Sequence, residues 1–85
     1  MSNYHKLLDA YDSILRAGDL LLDGDKEACC LLLNEAISVF QKQSYTDDLT
    51  ITQSILTRIL NNPSPEEIKR IVWVDIRGTV NYTGW

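Results

Sequence analysis

His5 is the only histidine in this chain of 85 residues, and that scarcity removes most acid–base chemistry near neutral pH. One helical turn separates it from Asp9, so a surface pair is the most it offers. Nothing in the sequence brings a nucleophile, a positioned base and an oxyanion donor together. The four glycines form no phosphate-cradling loop. Paired acids exist, Asp47-Asp48 and Glu66-Glu67, but each pair stands where a helix start accounts for it. The chain is therefore expected not to be an enzyme and to need no cofactor.

Cysteine is equally sparse: Cys29 and Cys30 are adjacent, and there is no third. Neighbouring side chains on a helix diverge by about 100°. Zinc sites space their thiolates by a few residues and need a full tetrahedral set. A disulfide between neighbours is strained and opposes the helix. The pair reads as two small, buried apolar residues kept in a reducing compartment. Long apolar runs are missing too. Ala28 to Leu33 and Ile71 to Val74 are the longest, well short of the ~20 residues of a membrane span. No basic segment followed by a long apolar region opens the chain. A cytoplasmic protein without membrane contact is expected.

Positive charge is the last shortage. Eight bases face twelve acids, for a net charge of -4. Nine of the acids, against four bases, lie in residues 1–48. That half repels nucleic acid and attracts a basic surface. Only Lys69 and Arg70 are adjacent bases, and the segment from Asp47 to Asn61 carries Arg58 alone. A recognition helix in the major groove normally shows several basic and polar residues. Nucleic acid is not an expected partner.

What is present is helical periodicity. Tyr4, Leu7, Leu8, Tyr11, Ile14 and Leu15 recur every three or four residues and define a first helix over about 3–17. Gly18 is placed to end it in a left-handed conformation; the alternative is a helix continuing to about Leu22. Asp25 caps a second helix to about residue 43, with Glu27 in its first turn. More than half the circumference of that helix is apolar, so it should sit centrally with neighbours on more than one side. Thr46, Asp47 and Asp48 start a third helix. Its stripe is Leu49, Thr52, Ile55, Leu56, Ile59 and Leu60, and Asn61-Asn62-Pro63 ends it at about 61. Ser64-Pro65-Glu66-Glu67 combines a cap, a proline at the first helical position and a capping box, which opens a fourth helix over about 65–73. Beyond Trp73 the pattern alternates. Val72, Val74 and Ile76 would share one side of a strand, making residues 74–85 a short hairpin or extended tail. The expected fold is mainly α, a compact single-domain bundle of about four helices.

The stretch GDLLLDGDKEACC, residues 18–30, invites comparison with a calcium loop. Aligned that way, Asp19, Asp23 and Gly24 fall on loop positions, but Leu21 and Cys30 stand where oxygen ligands belong. Lys26 would also set a cation beside the ion. The stretch reads instead as a helix junction, with leucines turned inward and carboxylates outward.

The run from Tyr4 through Leu7 and Tyr11, with GDKEAC and LNEAISVF after it, is similar to a helical hairpin of the tetratricopeptide class. It covers about forty residues and, without a second repeat, implies an antiparallel hairpin only.

With metals and catalysis set aside, the expectation is a protein-binding module whose partner has a basic surface. Asp19, Asp23, Asp25 and Glu27 at one junction, with Asp47 and Asp48, supply the charge; Tyr82 and Trp85 supply aromatic anchors. Small acidic helical proteins of this kind suit an immunity or antitoxin role against a nuclease-like toxin, by analogy of size and charge alone. A phage-encoded inhibitor of a host nucleic-acid enzyme has the same chemistry. A small DNA-associated transcriptional regulator would need Arg58, Lys69, Arg70 and Arg77 on one face. A homodimer would use the apolar second helix and the aromatic tail.

Overall fold

The computed structural model describes residues 3–81, with side chains from residue 6 to residue 80. Helix α1 runs Asn3–Leu22 and α2 Lys26–Gln43. The turn 23–25 between them folds the two into the expected antiparallel hairpin, the most extensive helix pairing in the protein. Gly24 takes a φ of 87° there, a conformation that residues with a Cβ rarely adopt. Asp25 caps α2 as expected, its Oδ1 accepting from the Ala28 N–H at 3.1 Å. Helix α3, Thr46–Leu60, returns beside α2. Helix α4, Pro65–Arg70, opens with the Ser64 Oγ accepting from the Glu67 N–H at 3.2 Å. It leads into a π-helical stretch, Ile71–Ile76, and then α5, Arg77–Asn81.

No strand occurs among the described residues, and the architecture is an all-α bundle. Its radius of gyration is 12.0 Å, which matches the ~12 Å of a compact chain of this length. Helix α2 does sit between neighbours, packed by α1 and α3. The core centres on Tyr11, Ile14, Leu33, Phe40, Ile59 and Ile71, none more than 1% exposed. The Tyr11 and Phe40 rings meet at 5.8 Å between centroids, inclined by 51°, one of the tilted arrangements that aromatic quadrupoles favour.

Two expectations are corrected. Gly18 does not end α1; it lies inside the helix and is buried. A Cβ built on it would stand 3.3 Å from Val72 Cγ1 and 3.4 Å from Ile76 Cδ1. The C-terminal segment crosses α1 at that point, so closely that a side chain on residue 18 would press on Val72 and Ile76. Residues 74–81, expected as hairpin or extended tail, are helical. A π turn closes i→i+5 bonds and is wider than an α turn. Ile71 and Ile76, five apart, can therefore both face inward, with Val80 following, while Val74 points to solvent. Val72, Ile76 and Val80, spaced by four, form the buried stripe; grouping the exposed Val74 with Val72 and Ile76 is what imitated strand alternation.

Thr52 is fully buried, and its Oγ1 has no hydrogen-bond partner among the described residues. Thr50 and Thr57, exposed on the same helix, donate to the carbonyls four residues back. An unpartnered buried hydroxyl costs about 1–3 kcal/mol. Thr52→Val keeps the branched shape and is expected to stabilise the protein by about 1 kcal/mol. Urea unfolding checks this, and a lower midpoint would mean that the hydroxyl is used.

Candidate binding surface

The turn 23–25 forms one tip of the bundle, where α1 ends, α2 begins and the C-terminal end of α3 arrives. Lys26 fixes this last meeting: its Nζ donates to Asn62 Oδ1 at 2.7 Å. Asn62 itself has a φ of 56°, a left-handed conformation that asparagine tolerates better than most residues.

Asp19, Asp23, Asp25 and Glu27 are all exposed at this tip. No described basic side chain pairs with any of them; the ion pairs lie elsewhere, at Arg16–Asp12 and around Arg58. The four split between two faces. Asp25 and Glu27 border an open groove between α2 and α3. Asp19 borders a smaller concavity beside Leu15, Trp73 and Arg77, where the C-terminal segment crosses α1. Asp47 and Asp48 belong to neither, because they start α3, a full fifteen-residue helix from the tip. Asp47 is exposed, whereas Asp48 is half-buried and accepts from the Tyr11 hydroxyl at 2.9 Å. Burial and this acceptor hold the Tyr11 phenol well above its usual range. Asp48 thus ties α3 to α1. Tyr82 and Trp85 lie outside the described residues.

The α2–α3 groove has a volume of about 600 Å³. Glu27 and Leu31 are one turn apart on the same face of α2, and Cys30 lies between them. Leu60 contributes from α3. Leu31 is 65% exposed and Leu60 56%. Leu60 belongs to the apolar stripe expected for α3; instead of turning inward it joins Leu31 in giving the groove an apolar floor. Cys30 also departs from the expected buried pair. It is half-buried and lines the groove, while Cys29 is completely covered. Burial, with smaller contributions from Cys30 and Asp25, pushes the Cys29 thiol up to about 12.

Two bases of the C-terminal half are already engaged. Arg58 Nη1 donates to Asp75 Oδ2 at 2.6 Å, and its Nη2 lies 3.6 Å from Glu67 Oε2. The Arg77 guanidinium sits over the Trp73 ring at 4.6 Å. Among the described residues no three of His, Cys, Asp or Glu converge on a point that could hold a metal ion. No described helix is long and apolar enough to cross a membrane. Compared with known protein families, with curated proteins and with solved structures, the chain matches none.

Proposed function

We propose that this protein is a small acidic binding module that blocks a basic surface on another protein, most naturally as an immunity or antitoxin-type inhibitor of a nuclease-like toxin. The observation that carries the reading is the tip itself: exposed carboxylates without basic partners among the described residues, beside a groove whose apolar floor is exposed. Carboxylates so placed speed the approach of a basic partner, and the apolar floor slows its departure. Inhibition would be occlusion of a cleft built to hold phosphates, with the tip standing in for their charge. A phage-encoded inhibitor of a host nucleic-acid enzyme would work in the same way. Two unpaired cysteines suit action in the cytoplasm. The reading as a DNA-associated regulator is less well supported, because Arg58 is held between Asp75 and Glu67.

The test is charge reversal. Asp23→Lys with Glu27→Lys leaves the Asp25 cap in place and cancels the negative charge of the four acidic positions at the tip. Against the partner recovered from the native host, affinity should fall at least tenfold, most of it in the association rate. Wild-type binding should weaken steeply with salt. An unchanged affinity would remove the proposal.

A further inference from the structure

The geometry points to a specific occupant for the α2–α3 groove: an amphipathic segment of a partner protein that carries lysine or arginine around one or two large apolar side chains. This rests on the reading of the acidic tip and narrows it. The floor argues first. Leu31 and Leu60, from different helices, are both more than half exposed and face one concavity with Cys30. An apolar anchor seated there removes both leucines from water.

The rim argues next. Its charge is net negative: Asp25 and Glu27, with Asp23 exposed in the adjoining turn, outweigh Lys26. Lys26 is the single base lining the groove, and its amine is held toward Asn62. Positive flanks on the occupant are therefore favoured. The same charge disfavours a second copy of this chain, which carries a net charge of -4. The open shape completes the case. Small-molecule sites enclose most of their ligand's surface, whereas a groove along a helix face suits an extended or helical segment with spaced anchors.

Three synthetic helical peptides of equal length test this with the folded protein: one of lysine and leucine, one of lysine and serine, one of glutamate and leucine. The lysine–leucine peptide should bind at least tenfold more tightly than either of the others. Backbone amide shifts should concentrate at residues 25–34 and 60–62, and alkylation of Cys30 by iodoacetamide should slow. Leu31→Ser and Leu60→Ser alter exposed positions, so the fold persists, and each should weaken that binding at least tenfold.

Several results would overturn the inference. Equal binding of the lysine–serine peptide, insensitive to Leu31→Ser but lost on Asp23→Lys with Glu27→Lys, removes the groove and leaves the electrostatic reading standing. Equal binding of the glutamate–leucine peptide, or of none, removes the groove's charge preference. Shifts centred on Leu15 and Trp73 place the contact on the other face. A dimer in sedimentation that Leu31→Ser disperses gives the groove to a second copy.

Discussion

Gly18→Leu is expected to destabilise the protein by about 3 kcal/mol, the upper range for forcing extra methylenes into packed space. The whole stability of an 85-residue chain is only roughly 4–13 kcal/mol. Two effects oppose each other at this position. Any side chain gains up to about 1 kcal/mol over glycine in helix propensity. The crossing segment refuses the volume, because a Cβ alone already stands 3.3 Å from Val72 Cγ1. For alanine the two effects are comparable and the net change should be small. For leucine the steric cost dominates. A double-mutant cycle identifies the contact responsible: Val72→Ala should recover at least ~1 kcal/mol of the loss in the Gly18→Leu background. Independent, additive costs in urea unfolding would show that this crossing is not where the strain arises.

The second large effect is alkaline. The Cys29 thiol is raised from an ordinary 9.0 to about 12 in the folded protein. A group whose folded pKa is the higher favours folding only while protonated, so its contribution is intact below pH 9. It disappears between pH 9 and about 12, as the unfolded chain ionises freely and the folded chain cannot. At about 1.4 kcal/mol per pKa unit the loss approaches ~4 kcal/mol. Tyr11, raised as well, adds to the same limb above its ordinary 10.0. Cys29→Ala should cost about 1 kcal/mol at pH 7 through lost packing. Its stability should then fall less steeply with pH than that of the wild type. Urea unfolding from pH 7 to pH 11 makes the comparison, and parallel curves would exclude Cys29 as the source.

These two sites differ in how far the sequence reveals them. The starts of α2 and α4 were legible, since caps act locally: Asp25 and Ser64-Pro65 do in the fold what their neighbours imply. Gly18 was misread because a glycine near a helix end has two uses, and only the distant Val72 and Ile76 decide between them. The C-terminal segment was misread because Val74, which the fold leaves exposed, was grouped with the buried Val72 and Ile76. In the candidate site the exposure of Asp19, Asp23, Asp25 and Glu27 followed from their place at a junction. Leu31 and Leu60 did not stand out, because an apolar residue on a helix announces its type and not whether a neighbour covers it.

The crossing at Gly18 also bears on how the protein is made. The α1–α2 hairpin is local and can form as soon as both helices have been synthesised. The groove that Gly18 opens on α1 is filled by Val72 and Ile76, roughly 30 residues beyond the end of α2, a delay of about 1.5–7 s at ordinary elongation rates of ~5–20 residues per second. For those seconds a nascent hairpin would carry one bare apolar face. The most vulnerable moment in the protein's life therefore falls before its C-terminal segment arrives, and a chaperone that shields apolar surface would find its substrate there.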